Sequence, residues 1–187
     1  KNNLNVKSWI FWPRRPFIME KYLEANKTKS YNERTIESIF IGNIENNVQN
    51  QYRNTNNNWE NVLGVYHSTQ GTRHKFTQEE YLEQLANAKY GLCLRGYGSK
   101  CHREVELMAL GTVPIITESV CIDSYMDPPQ ENIHYIRCNN PENLKTILSN
   151  ISQEKWESMS NNCYEWYQKN VHSKNSFNNF FINILYK

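Results

Sequence analysis

What this chain lacks narrows its possible roles. No stretch approaches the roughly 20 apolar residues a helix needs to cross a bilayer, so no membrane span is expected. No N-terminal signal pattern is present, which leads to the expectation of a cytoplasmic location. The chain opens on Lys1 rather than Met, and a domain cut from a longer polypeptide is expected. Charge of one sign is missing. The 21 basic and 19 acidic side chains leave a formal net charge of +2. Nucleic acid held by bulk electrostatics is therefore not expected. The five cysteines (Cys93, Cys101, Cys121, Cys138, Cys163) are odd in number and contain no Cys-x-x-Cys pair. That argues against a disulfide framework or a zinc site and for reduced core residues. Glycine is sparse, with seven residues in all. Gly96-x-Gly98 lacks the third glycine of a dinucleotide fingerprint and falls late in the chain, which excludes a dinucleotide-dependent dehydrogenase.

What is present suits one domain of ordinary size with an arm: 187 residues, 39% hydrophobic. Asparagine makes up about one residue in seven, which reads as codon bias rather than structural demand. Residues 1–35 form the arm, with Trp9, Phe11, Trp12 and Phe17 to dock it and a short helix at 19–25. Residues 36–152 alternate between short apolar runs and helical patterns. Strands are expected at 38–41, 62–66, 90–94, 113–116 and 134–137, with helices at 47–57, 77–88, 100–110 and 141–148. The helix at 77–88 opens on Thr77 with Glu80 three residues on, a capping box, and buries Tyr81, Leu82, Leu85 and Ala88. This alternation predicts an α/β fold, a Rossmann-like parallel sheet with helices on both faces. Residues 153–187 form two aromatic-rich helices. Trp156, Trp166, Phe177, Phe180 and Phe181 are expected to pack back on the domain.

The chemistry concentrates at residues 90–117. A strand ends in Arg95-Gly96-Tyr97-Gly98-Ser99-Lys100, and a helix follows. Ligands of open parallel sheets bind beyond the carboxyl ends of the strands. Glycines there admit close backbone approach, and a helix N-terminus favours an anion. Arg95, Lys100 and Arg103 crowd that terminus against the helix dipole, an arrangement a bound phosphate would stabilise. The plain alternative is a solvated basic turn. Glu106 lies one turn from His102 and Arg103, placed to accept hydroxyl hydrogen bonds from a ribose. The alternative there is a surface Arg103–Glu106 ion pair, worth under about 1 kcal/mol. Glu104 is expected to be a solvated charge.

Arg103-x-x-Glu106 followed by Gly111-Thr-Val-Pro-Ile resembles the donor-binding motif of exostosin-like glycosyltransferases, family 47 of that enzyme class. Ser38-Ile-Phe-Ile-Gly-Asn, Arg53 and the segment from Tyr81 to Gly96 are similar to flanking parts of the same domain, over roughly residues 36–150. With the asparagine bias, the likeness extends to such enzymes from large DNA viruses. The resemblance implies the donor-binding half of a GT-B enzyme. Gly42, Arg53, Arg95, Gly96, Gly98, Ser99, Lys100, Arg103 and Glu106 would hold a nucleotide-sugar donor. It implies transfer to a glycan acceptor, with the donor as substrate and no further cofactor. An N-terminal acceptor domain of the same polypeptide would complete the enzyme. Gly98 stands where retaining relatives carry a glutamate, which favours inversion. The chain has no Asp-x-Asp pair, so no divalent metal is implied. His102 is the nearest candidate for the general base. A non-catalytic nucleotide-sugar or glycan-binding module is the alternative, as is an interaction domain working through the aromatic tail.

Overall fold

A computed structural model describes residues 12–44, 58–69 and 75–185, with side chains through residue 182. The expected helix at 47–57 and Arg53 lie outside these residues, as do Trp9 and Phe11. Five strands form one all-parallel sheet: β1 (Ile36–Asn43), β2 (Val65–Thr69), β3 (Ala88–Cys93), β4 (Val113–Ile116) and β5 (Ile136–Arg137). Their order is β2-β1-β3-β4-β5. The described helices are α1 (Pro16–Ala25), α2 (Gln78–Ala86), α3 (His102–Ala109), α4 (Leu144–Ser149), α5 (Gln153–Asn170) and α6 (Ser173–Leu185). This is a Rossmann-like α/β fold.

The strands are near-continuous apolar runs because both faces of the sheet are covered. Side chains alternate between two cores, as the two-residue period requires. Ile39, Ile41, Cys93 and Ile116 face a core built with Met19, Leu82, Leu85, Leu107 and Tyr167. Phe40, Tyr90, Leu92, Leu94, Val113 and Ile115 face the other, closed by Trp59, Leu144, Trp156 and Met159. Leu92, Leu94, Val113 and Ile115, expected to be buried, are all buried. Helix α5 serves both cores. Its first turns insert Trp156 and Met159 on one side, and its later turns insert Cys163, Trp166 and Tyr167 on the other.

Local sequence signals account for several ends. Thr77 Oγ1 accepts from the Glu80 N–H at 3.2 Å and the Glu80 carboxylate accepts from the Thr77 N–H at 2.8 Å, completing the expected box. Gly111 closes α3 in the left-handed region, φ +64°. A side chain would be strained there, and its Cβ would meet Thr28 at 2.6 Å and the Ser160 hydroxyl at 2.8 Å. Several expectations need correction. The last strand covers only Ile136–Arg137, not 134–137, and Ala88, expected on the helix that ends at Ala86, opens β3. The second strand starts at Val65, not at 62, because Trp59–Asn61 forms a 3₁₀ turn that ends on Val62, and Gly64 intervenes. The aromatic face of α6 is only partly buried. Ser176 is its buried contact, whereas Phe177 and Phe181 are exposed and pack ring edge to ring face, centroids 4.6 Å apart.

Candidate functional site

Strand order reverses between β1 and β3, since β1 continues to β2 on one side while the chain then proceeds through β3, β4 and β5 on the other. In open α/β sheets the crevice beyond the carboxyl ends at such a point is the ligand position. Here that crevice is bounded by Gly42 and Asn43 at the end of β1 and by the 94–101 loop after β3. The first turns of α3 form its third side.

Arg103 reaches across this crevice. It is 8% exposed, its guanidinium donates from Nη2 to the Ile41 carbonyl, and its Cζ lies 4.5 Å from the Phe40 ring centroid. A Cβ on Gly42 would meet Nη2 at 2.5 Å. Gly42 was expected to admit a ligand; the space its missing side chain leaves is filled by Arg103. The guanidinium nitrogens Nε and Nη1 are buried without a hydrogen bond of good geometry, although the Tyr81 hydroxyl lies close enough to interact with the guanidinium. Unsatisfied buried donors on a charged group are costly, by about 1–3 kcal/mol or more each.

Glu106 is 2% exposed and forms no ion pair with Arg103. One carboxylate oxygen accepts from the Tyr81 hydroxyl at 2.8 Å, the other from the Arg14 backbone N–H at 3.0 Å. Burial, and then the charge of Glu106, push the Tyr81 hydroxyl pKa up, so it remains a donor. Sequence reading placed Tyr81 in the core but missed this role. The signal was there: a buried tyrosine needs a partner for its hydroxyl. His102 Nδ1 lies 2.6 Å from the Trp12 carbonyl. A carbonyl only accepts, so Nδ1 carries the proton and, in the neutral ring, Nε2 is the basic nitrogen.

Glu104 contradicts its expected exposure. It is 1% exposed; Oε1 accepts from the Cys101 N–H at 2.9 Å and Oε2 has no partner. Burial raises its pKa to about 7. Helical periodicity alone does not bury this position. Tyr125, contributed by the loop after β4 and itself 3% exposed, lies near enough that the Glu104 charge is the largest influence on its hydroxyl after burial. A carboxyl of the chain thus takes a helix N-terminal donor that an anion was expected to use.

The remaining candidates lie on the loop. Gly96 is buried, Gly98 is exposed, and Arg95 and Ser99 are half-buried. The Ser99 carbonyl accepts from the Cys121 N–H at 2.8 Å, and the Lys100 ammonium sits 4.7 Å from the Tyr125 ring centroid. Both contacts tie the 96–100 turn to the segment after β4. The fold brings Gly42, Arg103, His102 and Glu106 around one crevice, with the 95–100 turn on its border. A separate cleft of about 600 Å³, lined by Ile18, Tyr22, Phe76 and Glu83 between α1 and α2, contains none of these residues. It lies between two helices and outside the β1/β3 switch point, so position in the fold favours the crevice. No protein-family model matches the chain, and no curated protein matches it.

Proposed function

We propose that this chain binds a nucleotide-sugar donor in the β1/β3 crevice, as the donor-binding part of an exostosin-like, inverting glycosyltransferase. One observation carries the reading. Arg103 is buried at the switch point with Nε and Nη1 lacking a hydrogen bond of good geometry, beside a glycine that clears its path. A diphosphate oxygen supplies what those donors lack, through charge-assisted hydrogen bonds. Glu106, one helical turn further, stands where a ribose joined to that diphosphate would follow.

In an inverting transfer the acceptor hydroxyl attacks the anomeric carbon as the diphosphate leaves. The hydroxyl proton must pass to a base, and charge grows on the leaving phosphate. Arg103 faces the second need. His102 Nε2 is the candidate for the first. The glycan acceptor would be held by a further domain of the same polypeptide.

The test incubates the chain with uridine, guanosine and adenosine diphosphate sugars. Binding is followed by calorimetry, and release of nucleoside diphosphate is followed with and without a glycan acceptor. At least one nucleotide is expected to bind. Binding without release under any condition supports the non-catalytic module instead. Absence of any nucleotide binding overturns the reading.

A further inference from the structure

The α3 carboxylate that a donor's ribose would need, and the histidine one turn before it, are both held by the chain's own backbone. The segment 12–15, ahead of α1, runs over the first turns of α3. Its Trp12 carbonyl sits 2.6 Å from His102 Nδ1, and its Arg14 N–H donates to Glu106 at 3.0 Å. These contacts span 90 and 92 residues of sequence, so they are tertiary docking and not local turn formation. A ribose hydroxyl would reach Glu106 as a donor, the role Arg14 N–H already fills. The second carboxylate oxygen is taken by Tyr81, and the group is 2% exposed. Nucleoside and segment therefore ask for the same carboxylate oxygen.

We infer that residues 12–15 are a strap that competes with the nucleoside for Glu106, so that strap docking and donor binding exclude one another. The inference rests on the nucleotide reading above. The fold lets the strap leave without unravelling the helix behind it. Helix α1 starts at Pro16, which offers no N–H; the Arg15 carbonyl accepts from the Met19 N–H at 3.0 Å, so the strap pivots at Arg15 and residues 12–14 can lift while that bond stays. Its anchors lie deeper: Met19 in the core, and Glu20, which accepts from the Ser173 N–H and hydroxyl, both at 2.8 Å. Tyr22 adds a 2.5 Å hydrogen bond to Glu83. The strap itself is lightly held. Pro13 is buried, but Trp12 is 42% exposed and Arg14 and Arg15 are exposed.

The test uses the full chain, with uridine diphosphate as probe (or whichever nucleoside diphosphate binds most tightly) and inorganic pyrophosphate as control. Arg14→Pro removes the strap's N–H, Arg14→Ala removes only its side chain, and Pro13→Gly loosens the strap while leaving the donor in place. The apparent dissociation constant is the intrinsic one divided by the fraction of time the strap is up. Arg14→Pro is expected to bind the nucleotide about tenfold more tightly than the native chain, the scale of one released hydrogen bond. Pro13→Gly should fall between the two, and Arg14→Ala should match the native chain. Pyrophosphate affinity should be unchanged in all three. Independently of any substitution, the Arg14 amide of the native chain should lose protection from hydrogen exchange at saturating nucleotide. If the nucleotide binds but Arg14→Pro gives no tightening and the amide stays protected, the strap inference falls and the donor site stands. If no variant binds any nucleoside diphosphate, the donor reading falls and takes the strap with it.

Discussion

Two arginines lie buried at opposite ends of this sheet, and they are built differently. Arg34, at the amino ends of β3 and β4, is 4% exposed. Its Nε donates to the Lys29 carbonyl at 3.1 Å. Its Nη1 donates to the Ala88 carbonyl and the Thr112 hydroxyl, both at 2.7 Å, and its Nη2 donates to the Leu110 carbonyl at 2.8 Å. The Trp156 ring lies under it, 4.9 Å from Cζ. Burial lowers its pKa to about 10, which leaves it charged at neutral pH. Arg103, at the carboxyl end, is about as deeply buried but directs one nitrogen to the Ile41 carbonyl and leaves two without a hydrogen bond of good geometry. A buried charge with a full set of acceptors is a structural clamp. One with spare donors at a switch point is what a ligand site needs.

The largest effect should come from breaking the clamp. Arg34→Met strands the carbonyls of Lys29, Ala88 and Leu110 and the Thr112 hydroxyl. It is expected to cost about 3–5 kcal/mol in denaturant unfolding, as removal of one partner from a buried charged network does. A loss under 1 kcal/mol would deny Arg34 that role.

Next comes Glu104, beside Arg103 on the same helix. Its carboxyl rises from the ordinary 4.5 to about 7 in the folded state. A raised acid stabilises the fold fully below pH 4.5, and that contribution is lost as pH climbs through 7. A rise of that size corresponds to an effect on the order of 3 kcal/mol. Glu104→Gln keeps an acceptor for Cys101 and cannot ionise. Its melting temperature should therefore exceed that of the native chain above pH 7, with the advantage disappearing near pH 4. Parallel profiles for the two proteins would show that Glu104 is not buried uncompensated.

Gly42→Ala sharpens the comparison at Arg103 itself. The new Cβ has no room beside Nη2, so the guanidinium must shift, at a cost of about 1–3 kcal/mol. Diphosphate binding should weaken with it. Smallest in stability is Arg103→Met. It removes two unsatisfied donors along with one hydrogen bond, so stability is expected to stay within about 1 kcal/mol of native. A loss as large as that of Arg34→Met would erase the distinction between the two residues.

Much of this frame was legible in the sequence, for local reasons. The apolar runs flanking α3, the Thr77–Glu80 box and the helical spacing of Tyr81, Leu82 and Leu85 each depend on neighbours within a turn or a strand. So the strand-helix alternation and the position of the 95–106 segment at strand ends followed directly. What stayed hidden is set by residues far apart in the chain. The Arg34 clamp gathers carbonyls from three segments. Glu104 shares its buried surroundings with Tyr125, 21 positions away in sequence. The strap meets α3 across 92 residues. Gly42 was expected to serve a bound donor; what needs its bare Cα in this fold is Arg103.

The central claim is that Arg103 supplies the phosphate contacts and Glu106 the nucleoside contacts of one site. The measurement that tests it most directly is calorimetric titration of Arg103→Met and Glu106→Gln with a nucleoside diphosphate and with pyrophosphate. The account predicts that Arg103→Met weakens both ligands, by tenfold or more for about 1.5–3 kcal/mol of lost charge-assisted bonding. Glu106→Gln should weaken the nucleoside diphosphate alone. Native affinity of Arg103→Met for both ligands, with its fold intact, would contradict it.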